Sequence, residues 1–274
     1  MNEEMDWELL RRDYPVTARM AYLNSAAAGP VMRQANEAAA SFYREMMQEG
    51  DARWDEWLER REALRERVAR FINADADEIA FTTNTSTGMN LIVDALVGRG
   101  SVISCNLEFP VSTWPWMHRG CAVKLIEARD GEIEAEDVRR AMTERTGIIS
   151  LSHVQYSNGF RAPLEEIGAL KGQHAFVVNA SQAAGAFSID VKRMRIDAVC
   201  ATGHKWMTAG YGAGFVYLSR RLLEETRPRA IGWLSVEDPF QMLYGNNYRV
   251  RPDAAARAEL GCPHFAGIFA LGAS

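Results

Sequence analysis

Seven short apolar runs alternate with stretches of helical spacing, and no other feature constrains the fold of this chain so tightly. The runs are EIAFTT (78–83), SVISC (101–105), AVKLIE (122–127), GIISLS (147–152), AFVVN (175–179), DAVCAT (197–202) and GFVYLS (214–219). Between them GMNLIVDAL (88–96), EAEDVRRAM (134–142) and APLEEIGALKG (162–172) carry apolar residues at helical intervals. Upstream, residues 34–72 read as helix on either side of a break at Gly50-Asp51. Phe42, Met46 and Met47 precede the break, and Trp54, Trp57, Leu58, Leu64 and Val68 follow it. Strands that are apolar on both faces and alternate with helices predict a mainly parallel, seven-stranded sheet covered on both sides, a three-layer α/β fold.

Composition agrees with a folded globular chain. The 274 residues are 47% hydrophobic and 24% charged, enough to build a large core and unlike a disordered or coiled-coil sequence. A formal charge of −5 gives no broad attraction to nucleic acid or to an anionic membrane, so neither is expected as a partner. No apolar run approaches the 18 or so residues of a membrane span. The opening MNEEMDWELLRRDYP is acidic and polar where a secretory signal needs a basic start and an apolar run. Cys105, Cys121, Cys200 and Cys262 are scattered, without a CxxC pair. The expectation is therefore reduced thiols in a cytoplasm, with no disulfide framework and no metal site.

In open sheets of this kind ligands bind beyond the carboxyl ends of the strands. Here those ends read TNTSTG, CNLEF, SHVQY, NASQ and ATGHK, a set rich in groups able to hold a phosphate and an aromatic ring. Lys205 stands at such a mouth between hydroxyl and imidazole groups. Burial and nearby positive charge lower an amine's pKa enough for it to attack a carbonyl. The turn 83–88 precedes an apolar helical run, and hydroxyls with free amides at a helix N-terminus make a phosphate cradle. It lacks the GK[ST] ending of a P-loop.

Taken in order, the hydroxyl-rich turn, the aromatic after a strand, the NASQ segment and TGHK resemble the class V aminotransferase and cysteine desulfurase family. YLNSAAAGP (22–30), EFPVSTWPW (108–116), SHVQYSNGFRAPLEEIG (152–168) and ELGCPHFAGIFALG (259–272) extend the resemblance over roughly residues 20–274. It implies a fold-type I enzyme dependent on pyridoxal 5′-phosphate (PLP), with Lys205 as the Schiff-base lysine that later moves a proton at the substrate's alpha carbon. Thr85, Ser86, Thr202 and His204 match groups that hold the cofactor phosphate. Phe109 takes the place of the aromatic that stacks on the pyridine ring, and Gln182 that of the glutamine bonded to its phenolic oxygen. Tyr156 or Gln155 falls where many relatives place an asparagine near that oxygen. A small amino acid as substrate and a homodimer are further implications. So are the divisions 1–30 as an N-terminal arm, 31–235 as the PLP-binding large domain and 236–274 as the start of a truncated C-terminal region.

Two departures stand out. Asn179 occupies the position where the family normally has an aspartate facing the pyridine nitrogen, which removes a counter-charge and weakens the ring as an electron sink. The chain also ends before the smaller domain that in relatives carries the substrate-carboxylate arginine and the desulfurase cysteine. Arg161 and Arg249 are read as solvated surface charges, and Cys262 stands in a GTP-like turn where relatives often have threonine. The expected activity is transamination, elimination or epimerisation of a small amino acid. The alternative is a catalytically weakened or inactive PLP-binding scaffold. A Rossmann oxidoreductase is disfavoured because GYGAGF lacks the GxGxxG order and a following helix.

Overall fold

The computed structural model describes residues 6–242, 247–251 and 255–274. Among them the helices α1 (Trp7–Arg12), α2 (Arg33–Glu49) and α3 (Trp54–Phe71) lead to β1 (Ile79–Thr82) and α4 (Thr85–Leu96). There follow β2 (Ser101–Cys105), α5 (Trp114–His118), β3 (Val123–Ile126), α6 (Ala135–Ala141), β4 (Thr146–Ser152), α7 (Leu164–Leu170) and β5 (Ala175–Asn179). Then come β6 (Ala198–Thr202), β7 (Gly214–Leu218), α8 (Arg220–Glu225) and α9 (Phe265–Ala273).

The seven strands form one sheet in the order β1-β7-β6-β5-β4-β2-β3. Pairings from β3 through β6 are parallel, whereas β7 runs antiparallel to both β6 and β1. Only β7 is therefore reversed, and the carboxyl ends of β1, β2, β4, β5 and β6 share one edge. All seven expected strands are present, within a residue or two of the sequence limits. β3 is the exception to two-sided burial, because it lies at the edge and leaves Lys124 and Leu125 exposed.

Alternation along each strand feeds two cores. On β5, Ala175 and Val177 face one side with Met89, Ile92, Val93 and Leu96 of α4, while Phe176 and Val178 face the other. The α4 residues recur at helical spacing and are fully buried, which makes this helix the main cover of its face. Gly88 lets it approach: a Cβ there would stand 2.8 Å from Val216 Cγ2. On the opposite face α9, buried from Phe265 to Leu271, closes an aromatic cluster with Phe42 and Trp57. Ring centroids in that cluster lie 4.9–5.8 Å apart, within the range of favourable edge and tilted contacts.

Helix boundaries differ more from expectation. The 34–72 stretch is two helices, as the Gly50-Asp51 break predicts. The helix expected from Gly88 instead starts at Thr85, because Asn84 caps it by accepting from the Thr87 amide at 2.9 Å. The hydroxyl turn is thus the first turn of the helix itself. The GYGAG stretch is a turn with Gly210 and Gly212 at positive φ, leading into β7.

Candidate active site

At the shared strand edge lies a cavity of about 520 Å³, within the range of small-molecule sites. All nine candidate residues line it: Thr85, Ser86, Phe109, Tyr156, Asn179, Gln182, Thr202, His204 and Lys205. They come from the carboxyl ends of β5 and β6 and from the segments that follow β1, β2, β4, β5 and β6, from Thr85 to Lys205 in sequence, and only the sheet order brings them together.

A chain of hydrogen bonds runs along one wall. Ser181 donates from both its amide (3.0 Å) and its hydroxyl (2.6 Å) to Asn179 Oδ1, and Asn179 Nδ2 donates to Ser112 Oγ at 3.0 Å. Since the Ser181 hydroxyl gives its proton to Asn179, the Thr85 hydroxyl, 2.6 Å away, donates to Ser181. Thr85 therefore turns its side-chain proton inward. The Thr85 and Ser86 amides and the Ser86 hydroxyl, at the N-terminus of a twelve-residue helix, remain for an anion in the cavity.

Opposite stands the loop after β6. Lys205 is half-buried, and desolvation lowers its pKa below the ordinary lysine value, enlarging the neutral amine fraction. His204 is likewise lowered, first by burial and then by the charge of Lys205, which favours its neutral form. Its Nδ1 lies 2.8 Å from Thr202 Oγ, and its ring stacks on Tyr211 at 4.6 Å. The Lys205 amine sits 5.9 Å from the centroid of the Phe109 ring, which meets Tyr156 edge-on at 5.2 Å. Both aromatics are roughly half exposed and form the mouth.

Gln182 is anchored from two sides: Nε2 donates to Ala26 O and Trp206 Nε1 donates to Oε1, both at 2.8 Å. The Ala26 contact draws residues 24–29 across the cavity, where Asn24, Ala26 and Ala27 join the lining. Gly29 completes the docking by donating from its amide to His204 O at 2.8 Å. The YLNSAAAGP segment (22–30) thus has a role in the site beyond the resemblance it carries. The sequence pattern also left Ser112 and Ser181 unassigned, although Ser181 lies inside NASQ.

Of the two residues weighed after β4, Tyr156 faces the cavity. Gln155 is buried away from it, donating to the Glu108 carboxylate at 2.8 Å, and the same carboxylate accepts the Ser152 amide and hydroxyl. Glu108 thus ties the loop after β2 to the end of β4 from behind. Arg161 and Arg249 are exposed and do not line the cavity. Arg161 instead donates to His153 Nε2 at 3.3 Å and lies over Phe187. Cys262 opens onto a separate, smaller cavity beside Thr83, Thr87 and His264. Cys105 and Cys200 are buried, their thiols pushed up to about 12 mainly by desolvation.

These groups suit PLP: amides and a hydroxyl at a helix N-terminus for the phosphate, a desolvated amine for the aldehyde, and aromatic surface beside that amine for the ring. A reversed β7 in an otherwise parallel sheet, with a lysine loop after β6 facing a capped helix N-terminus, is the arrangement of fold-type I enzymes. The Aminotransferase class-V family model matches residues 21–274, and the chain belongs to that family, whose enzymes depend on PLP.

The chain is 30% identical to a probable cysteine desulfurase of Methanothermobacter thermautotrophicus, over 98% of its own length and 69% of the relative's. To an uncharacterized aminotransferase of Bacillus subtilis it is 26% identical, over 97% and 71% of the two lengths. Among solved structures it resembles the apo cysteine desulfurase of Thermococcus onnurineus NA1, with a TM-score of 0.88 and 26% identity. That match takes in 100% of this chain and 70% of the other.

Proposed function

We propose that Lys205 and the cavity around it bind PLP and act on a small amino acid by elimination, epimerisation or transamination. The observation that carries this reading is the convergence of nine residues, named from separate sequence segments, on one cavity containing a desolvated lysine. When bound, PLP supplies an aldehyde that condenses with amines and a ring that withdraws electrons from the substrate's alpha carbon.

The chain's own residues divide the remaining work. The Thr85 and Ser86 amides and the Ser86 hydroxyl, at the positive end of α4, would hold the phosphate, with Thr202 and His204 as further polar groups of the same cavity. Phe109 would offer its face to the ring, and Tyr156, packed edge-on against Phe109, narrows the mouth. Gln182 has one N–H beyond its bond to Ala26 and offers it to a ring substituent. The Lys205 Nζ would take and return a proton at the substrate's alpha carbon, a role that its desolvation, by lowering its pKa and enlarging the neutral amine fraction, supports.

Among the described residues no cysteine lines this cavity, so the roles assigned here stop at the alpha carbon, common ground for the three reactions. A homodimer belongs to the same proposal. Leu23, Met47, Trp114 and Tyr211 are large, more than 60% exposed, and available to a second copy. Residues 31–235 constitute the PLP-binding unit in this reading, with 1–30 as an N-terminal arm that contributes Asn24, Ala26 and Ala27 to the cavity and 236–274 as a C-terminal region. No described helix is long and apolar enough to cross a membrane. The compartment we assign, a reducing cytoplasm, rests on the scattered spacing of the four cysteines in the sequence.

The alternative of a PLP-holding scaffold draws on both departures, Asn179 in place of the family's aspartate and the unmatched small domain, and one experiment separates the two. The purified protein is titrated with PLP while its near-ultraviolet and visible absorption is followed, and the loaded protein is then challenged with individual amino acids. The enzyme reading predicts saturable binding in the wild type, loss of the shifted band in Lys205→Ala, and a spectral change with release of keto acid, ammonia or the opposite enantiomer for at least one amino acid. Binding without any response to amino acids would establish the scaffold, and no binding would refute both.

A further inference from the structure

Asn179 is the point at which this chain departs from the charge pattern of its family, and its hydrogen bonds determine which end of the amide is which. The Ser181 backbone N–H can only donate, so the atom it meets at 3.0 Å is an oxygen, and the Ser181 hydroxyl bonds to the same atom. The other end is therefore Nδ2. One of its hydrogens goes to Ser112 Oγ at 3.0 Å, and the second has no acceptor among the described residues. Asn179 is only 4% exposed yet lines the cavity, so the spare N–H is a desolvated donor at the cavity wall.

The surrounding charges do not offset this. Among the described residues no Asp or Glu lines the cavity. Ser152 pairs with Asn179 across β4 and β5, and the Glu108 carboxylate behind it accepts the Ser152 amide, the Ser152 hydroxyl and the Gln155 amide group. The cationic and titratable groups on the opposite side, Lys205 and His204, would oppose rather than favour a further positive charge. A protonated pyridine would set N–H against N–H at this position, whereas an unprotonated one offers a lone pair to a donor that lacks an acceptor.

Resting on the PLP reading above, we propose that Asn179 donates its free Nδ2 hydrogen to the pyridine nitrogen of PLP and so selects a neutral ring. Ser112 and Ser181 act as positioning residues that hold the amide in this sense. A neutral ring withdraws electrons less strongly than a protonated one. The site therefore suits reactions that return a proton to the substrate or expel a group from it, over transfer of the amino group to the cofactor. A carboxylate at residue 179 would keep both Ser181 donors and present an acceptor where the amide presents a donor.

The test loads wild-type protein and Asn179→Asp with PLP labelled with ¹⁵N at the pyridine position and compares the bound resonances at neutral pH. Free labelled PLP, measured above and below the titration of its ring nitrogen, supplies the reference positions. The inference predicts the unprotonated pyridine position for the wild type and a shift of the full pyridine-to-pyridinium interval in Asn179→Asp. A wild-type resonance at the pyridinium position overturns it, and this measurement decides alone if Asn179→Asp does not fold. Failure of the PLP reading itself has a different signature, because then no bound resonance and no absorption change appear in either protein.

Discussion

Replacing Gly29 by alanine tests how closely the segment 24–29 is docked on the lysine loop. A Cβ at this position would lie 2.1 Å from the Lys205 carbonyl oxygen and 3.2 Å from its carbon, so one backbone must move by more than 1 Å before ordinary contact is restored. Neither side yields easily, since both atoms met are main chain and the Gly29 amide is bonded to His204 O at 2.8 Å. Overpacking of this kind costs about 1–3 kcal/mol. The strained hydrogen bond adds about 1 kcal/mol, for an expected loss of about 2–4 kcal/mol. Equilibrium unfolding in urea measures it, with Gly261→Ala as the control: the nearest atom to a Cβ there is Trp233 Nε1 at 3.9 Å. The control should stay within about 0.5 kcal/mol of wild type, as surface substitutions do. Because the clash displaces Lys205 itself, PLP should also bind Gly29→Ala more weakly. Wild-type stability and wild-type PLP affinity in Gly29→Ala would refute the docked arrangement.

Three further outcomes follow from other parts of the structure. Asn84→Ala removes the cap of α4 and should cost about 1 kcal/mol in urea unfolding, while weakening the protein's affinity for inorganic phosphate and for PLP alike. His153 is buried neutral, its pKa lowered from 6.5 to about 4 mainly by desolvation and then by Arg161. The unfolded chain therefore takes up that proton first, and stability falls as pH drops from 6.5 toward 4. At full development the loss is about 3 kcal/mol, and His153→Phe should flatten that part of the stability profile. Thiol titration with a coloured disulfide reagent should label Cys262 rapidly in the folded protein and Cys105 and Cys200 only after unfolding, because burial denies the latter both access and ionisation.

The legible parts of this protein are those governed by local pattern. Two-sided apolar runs marked every strand except the edge strand β3, because burial on both faces demands continuous hydrophobicity. The same logic directed attention to the polar residues that close those runs, hence to Lys205, Gln182 and Thr85. What escaped was set by distant contacts. Nothing within PVSTW or TGHKW indicates that Ser112 would fix the Asn179 amide or that Trp206 would hold Gln182, because the two pairings span 67 and 24 residues. The choice between Gln155 and Tyr156 depended on Glu108, a buried carboxylate that captured Gln155 and left Tyr156 to the mouth. The start of α4 was missed for a local reason: threonine and serine are weak helix formers, and the Asn84 cap that recruits them into the first turn was not credited.

The most direct measurement of the central claim is peptide mapping after borohydride reduction of the PLP-loaded protein. The account predicts one phosphopyridoxyl group per chain, on the peptide containing Lys205, with none in Lys205→Ala. Modification spread over surface lysines such as Lys124 and Lys192, or an unmodified Lys205 in a protein that has taken up PLP, would contradict it.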